Sequence, residues 1–131
     1  MFASRAAIFT LFVLLVAAGT SGARTWYVER DGSGEFTSIH DAMQACTPGD
    51  TIRIGPGRYD DFHEFVAPAW TTEAIIGVTK DNLTFIGESD STTIIGPTEM
   101  YLPGIFPEPK AIASAVEVHA EFRNLRVENV R

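Results

Sequence analysis

The chain has 131 residues, 10 Lys and Arg against 17 Asp and Glu, a formal net charge of −7, and 45% hydrophobic residues. It is therefore one ordinary domain at most, too hydrophobic for a disordered chain and too acidic for nonspecific binding to nucleic acid or anionic lipid. A single cysteine, Cys46, excludes an intrachain disulfide framework and any multi-cysteine metal centre.

Residues 1–23 read as an address. Arg5 supplies a positive charge, residues 6–18 form an apolar run broken only by Thr10, and Ser21 and Ala23 are small residues before Arg24. This order is that of a secretory signal peptide, and a run of 13 falls short of the roughly 20 residues needed to span a bilayer. An uncleaved membrane anchor is the alternative. The expectation is an exported protein (secreted, periplasmic or on the cell surface) with no membrane association after cleavage, and a single domain over residues 24–131.

Residues 25–28 predict a short strand, which Asp31-Gly32-Ser33-Gly34 breaks. The glycines suggest a phosphate loop, but the Walker lysine and the dinucleotide spacing are missing. Residues 38–46 predict the one helix of residues 24–131, because Ile39, Ala42, Met43 and Cys46 form an apolar stripe. Thr37 or Ser38 can cap it, Asp41 completes a capping-box-like pattern, and Thr47-Pro48-Gly49 ends it. Met43 and Cys46 read as core fillers.

Short strands are then predicted over residues 51–54, 74–78, 83–86, 93–95, 116–120 and 122–127, each too short for a helix. Val28 to Ile52 and Ile52 to Ile76 are each 24 residues. Asn82-Leu83-Thr84-Phe85 returns 42 residues later as Asn124-Leu125-Arg126-Val127, and Ala74, Ile76 and Val78 map onto Val116, Val118 and Ala120 at the same offset. Residues 97–109 hold four of the seven prolines and read as an insertion, and residues 60–72 as a shorter one. A period in the low twenties predicts stacked coils. Ile52, Ile76 and Val118 would form one inward column, and Leu83 and Leu125 another. The amphipathic helix would cap the first coil.

These residues resemble a known family. Trp26-Tyr27-Val28, residues 31–39, Pro48-Gly49-Asp50-Thr51-Ile52, Gly55-Pro56-Gly57-Arg58-Tyr59 and residues 81–88 resemble the opening of right-handed parallel β-helix proteins of the pectin lyase-like superfamily, nearest to pectinesterase-like and β-helix repeat proteins. The resemblance covers most of residues 25–96 and, more loosely, 115–130. It implies an all-β, right-handed parallel β-helix with an N-terminal capping helix. The family's catalytic aspartates, glutamines and arginine, and the lyases' calcium-binding aspartates, come from later coils, and no segment here matches them. The chain ends at Arg131 in a strand-like stretch without a C-terminal cap. This predicts truncation, with the remaining coils of a longer chain as partner, or a small scaffold closed by self-association.

Three functions follow as expectations: a surface or carbohydrate-associated protein without a complete active site, the front of a carbohydrate esterase or polysaccharide lyase, or a small interaction protein. No catalytic residue and no cofactor is assigned. Asp60, Asp61, His63 and Glu64 form the densest polar cluster and are the candidates for a metal, with a solvated loop as the competing reading. Trp70, Tyr101 and Phe106 are the candidates for stacking on a polysaccharide, against burial over the coils. His40 and His119 have no partner at catalytic spacing. Asn82-Leu83-Thr84 is a glycosylation acceptor only in a eukaryotic secretory pathway.

Overall fold

A computed structural model describes residues 22–100 and 109–130. All but the last two residues of the expected signal peptide, and both Tyr101 and Phe106, lie outside the described residues. The strands are β1 (Thr25–Val28), β2 (Thr51–Ile54), β3 (Gly57–Tyr59), β4 (His63–Ala67), β5 (Trp70–Val78), β6 (Leu83–Gly87), β7 (Thr93–Ile95), β8 (Lys110–Ser114), β9 (Ala120–Arg123) and β10 (Arg126–Val127). The helix α1 (Ile39–Ala45) lies between β1 and β2. No described helix is long and apolar enough to cross a membrane.

Three small sheets result, in the orders β1-β2-β6-β9, β10-β7-β3 and β4-β5-β8. The first two are parallel throughout; the third is mixed, with β5 parallel to β8 and antiparallel to β4. The expected right-handed parallel β-helix with an N-terminal capping helix is therefore corrected: the described residues are mostly β, in three sheets of three or four strands beside one short helix. Residues 60–72, expected as a loop insertion, carry β4 and the start of β5, and their antiparallel pairing breaks the uniform parallel ladder. Nor is there one period. Trp26 to Ile52, Ile52 to Phe85 and Phe85 to Phe122 are register partners 26, 33 and 37 residues apart.

The expected columns change with the register. Ile52 stands between Trp26 and Phe85, whereas Ile76 pairs with Ile112 in another sheet, and Val118 is in no strand. Leu83 pairs with Ala120, not Leu125. The two Asn-Leu segments look alike for a local reason. Asn82 and Asn124 both adopt left-handed backbone, with φ of 56° and 53°, and each turns the chain into a strand of a different sheet. Asparagine tolerates that conformation at little cost, so the likeness reports turn chemistry rather than stacking.

The apolar stripe of α1 forms as its spacing requires, burying Ile39, Ala42 and Met43. The capping box does not form: Ser38 occupies the N-cap position but makes no side-chain hydrogen bond. The helix also lies against β5, β1 and β2 together, not over the first strand alone. Its C-terminal end carries no cation of its own. Lys80, before β6, supplies one, donating to the carbonyls of Met43 (3.0 Å), Gln44 (2.9 Å) and Cys46, where a positive charge meets the negative end of the helix dipole. The Cys46 thiol is buried and donates to the Met43 carbonyl at 3.1 Å; burial pushes it above the ordinary thiol range.

Between the sheets lies one main core containing Val28, Ile52, Ile54, Tyr59, Ile76, Val78, Leu83, Phe85 and Ile95. Phe85 and Phe122, register partners on β6 and β9, stack at 4.9 Å between centroids. Burial pushes the Tyr59 phenol up to about 12, so its hydroxyl stays protonated and donates to the Gly55 carbonyl at 3.0 Å.

Among the described residues Asp50 is the buried charge, 1% exposed. It accepts the Arg24 N–H (2.8 Å), the Trp26 indole N–H (2.9 Å), the Thr47 N–H (2.9 Å) and the Thr47 hydroxyl (3.2 Å). Burial acts to raise its carboxyl, but these donors outweigh it and hold the group below the ordinary value of 3.8. A lowered folded pKa means stability that is present above the unfolded value and lost as pH falls through the folded one. Asp50→Asn turns an amide donor toward donors and is expected to cost about 2–3 kcal/mol at pH 7, roughly 10 °C in Tm. The gap to wild type should narrow as pH is lowered below about 4, read by circular dichroism melts from pH 7 to pH 2.

Candidate functional site

The outer face of the β1-β2-β6-β9 sheet gathers polar groups in rows. Strand alternation sends every second residue to this face, and the register aligns Tyr27, Arg53, Ile86 and Arg123 in one row. A second row holds Thr25, Thr51, Thr84 and Glu121. Just past the strands, Gly55 donates to the Val28 carbonyl (2.8 Å) and Glu88 to the Ile54 carbonyl (3.0 Å), which places Glu29, Gly55 and Glu88 side by side.

Two shallow depressions mark this face. One, of about 270 Å³, is lined by Tyr27, Glu29, Arg53, Gly55, Ile86 and Glu88, with Ile54 below. Its floor is glycine for a steric reason: a Cβ on Gly55 would collide with the Glu29 carboxylate. Tyr27 is 47% exposed. Among the described residues Glu29, Arg53 and Glu88 enter none of the ion pairs. A guanidinium between two carboxylates beside an open phenol ring therefore keeps its hydrogen-bonding capacity for something outside the fold.

The second depression, of about 290 Å³, lies at the start of β6 and β9 and is lined by Asn82, Thr84, His119 and Glu121 with Leu83 and Ala120. His119 acquires the partner the sequence did not reveal. Its backbone N–H donates to Asp81 Oδ1 at 2.8 Å, and its Nδ1 lies 3.3 Å from the same oxygen. The backbone bond from His119 leads the groups that hold the Asp81 carboxyl below its ordinary value.

The candidates chosen from sequence are placed elsewhere and do not converge. Asp61 ion-pairs with Arg30 at 2.8 Å and Asp60 with the same guanidinium at 3.6 Å. His63 stacks on His40 with centroids 3.9 Å apart, and its Nε2 is buried without a hydrogen-bond partner. Glu64, the next residue of β4, faces the opposite side and is exposed. Among the described residues no group of three or more His, Cys, Asp or Glu is arranged to hold a metal ion. Trp70 is 43% exposed and leans on Phe65 at 5.5 Å. Asp31 accepts from the Ser33 N–H (2.9 Å) and hydroxyl (2.6 Å), making Asp31-Gly32-Ser33-Gly34 a self-bonded turn. Arg53 and Tyr27 were open to discovery in the alternation of Thr51-Ile52-Arg53-Ile54 and of residues 25–28, where they are the outward members.

No protein-family model, curated protein or solved structure matches this chain.

His40 sets a pH response distinct from that of the carboxylates. Burial, then the nearby His63, hold the His40 pKa below 6.5. With the folded value lowered, the unfolded chain binds more protons as pH falls below 6.5, so stability declines there. Wild type is expected to lose Tm between pH 7 and pH 5.5, and His40→Phe to flatten that interval, read by thermal melts in matched ionic strength.

Proposed function

We propose that the chain is an exported, non-catalytic module that binds a neutral, hydroxyl-rich polysaccharide across the outer face of the four-stranded sheet. The observation that carries this reading is the exposed Tyr27 ring beside Arg53, Glu29 and Glu88, three charges that enter no ion pair among the described residues. A flat ring takes the apolar face of a sugar, while carboxylates and a guanidinium accept from and donate to its hydroxyls.

Charge selects among polysaccharides. Two carboxylates against one guanidinium leave the depression negative, on a chain whose net charge is already −7. A polyanion would meet repulsion at long range and at contact, whereas a neutral chain meets neither. The leader-like pattern of residues 1–23 favours a place outside the cytoplasm, where such polymers are encountered.

The test is retardation of the chain in native gels containing a neutral β-glucan or, in parallel, polygalacturonate. Retardation by the neutral polymer is expected, with Tyr27→Ala weakening it about tenfold, as a lost aromatic contact of about 1.4 kcal/mol would. Gly55→Ala, which displaces the Glu29 carboxylate, should weaken it with little change in Tm, since the group displaced is the end of a flexible side chain. Trp70→Ala should leave it unchanged. Retardation by polygalacturonate alone, or sensitivity to Trp70→Ala but not Tyr27→Ala, would overturn the proposal.

A further inference from the structure

The far edge of β9 is a strand edge that pairs with nothing among the described residues, since β9 ends the β1-β2-β6-β9 sheet. Which backbone groups it leaves open follows from the hydrogen bonds of its neighbours. In a parallel strand the N–H and C=O of one residue point to the same side, and successive residues alternate. Thr84 and Glu88 donate to the Asp50 (3.1 Å) and Ile54 (3.0 Å) carbonyls, so the even residues of β6 turn toward β2 and Leu83 and Phe85 toward β9. With Leu83 opposite Ala120 and Phe85 opposite Phe122, the bonds to β6 are made by the flanking residues of β9. The N–H and C=O of Phe122, like those of Ala120, are left on the open edge.

The side chains around this edge are of two kinds. Toward the core, Ile112, Val118, Ala120, Phe122, Leu125 and Val130 are six of the nine partly buried hydrophobics that, among the described residues, pack on the main core. That core is least covered at the end where β9 lies. On the outer face, Glu121 and Arg123 flank Phe122, both exposed and paired with each other at 2.6 Å. Opposite charges one residue either side of a central position are self-complementary under a two-fold axis through that position.

We propose that this edge joins a second copy of the chain by antiparallel pairing of β9 with β9, centred on Phe122. The two Phe122 residues exchange both of their N–H···O=C bonds as a hydrogen-bonded pair. Glu121 then stands opposite Arg123 of the second copy, and Arg123 opposite its Glu121, in the non-hydrogen-bonded positions where facing side chains come closest. The Phe85–Phe122 stack continues across the axis into its counterpart. The contact is short, because Asn124 leaves the strand with φ of 53°. The interface is isologous and closes at two subunits, so the same pairing cannot propagate into a fibre. It stands independently of polysaccharide binding.

The test is light scattering of the full chain after size exclusion, loaded from about 10 µM to about 1 mM, the range of weak association. Wild type is expected to move from monomer to dimer mass. E121R and R123E each place like charges opposite one another twice, and each should weaken association at least tenfold. An equimolar mixture of E121R with R123E restores both opposite-charge pairs and should recover a heterodimer, which a merely misfolded variant could not do. The double variant E121R/R123E should dimerise as wild type does. A chain that stays monomeric to about 1 mM leaves the edge to some other partner and overturns the proposal. So does a dimer indifferent to the single reversals, or a mixture that fails to associate.

Discussion

The buried carboxylate of Asp50 is the interaction on which the rest of the arrangement depends. An anion at 1% exposure is costly unless its hydration is replaced. Here the replacement comes from the start of β1 through Arg24 and Trp26, and from the turn after α1 through Thr47. The four donors converge only when β1 lies beside β2 in one register, with Trp26 opposite Ile52. A slip by one residue would turn the buried set outward and the exposed set inward. The row of Tyr27 and Arg53 on the outer face is thus a consequence of where one carboxylate sits inside.

Lys80 works on the same junction from the other side. Its ammonium reaches three carbonyls at the end of α1 from the turn that leads into β6. A seven-residue helix has little intrinsic stability. Its place is held by Lys80, distant in sequence, at its end and by Asp50 in the following turn. The charges that order this chain internally are few and well used, and those on the outer face near Tyr27 are left to solvent or ligand.

Individual strands were legible in the sequence, and their assembly was not. Residues 25–28, 51–54 and 93–95 form strands over the expected ranges because their alternation of β-branched and apolar residues is strong and turn residues bound them. Stacking was misjudged because Asn82 and Asn124 share a backbone conformation, which is local, while sheet partnership is not. Residues 60–72 read as a short insertion, since Asp60 and Asp61 precede a hairpin whose tip is Pro68 and Ala69 and whose alternation only shows once β4 and β5 are paired. The site was missed for a related reason. Clustering in sequence favoured Asp60, Asp61, His63 and Glu64, whereas the outer face is assembled one residue per strand, by a register no window of sequence contains.

Cys46 carries one more consequence. It is the chain's single sulfhydryl, buried at the C-cap of α1 with its hydrogen directed at the Met43 carbonyl and its ionisation suppressed. Only the thiolate attacks a disulfide or an alkylating reagent, so the folded chain resists forming mixed disulfides. Reaction requires the end of α1 to open, and the rate at which a thiol reagent in excess labels the protein becomes a clock for that local opening.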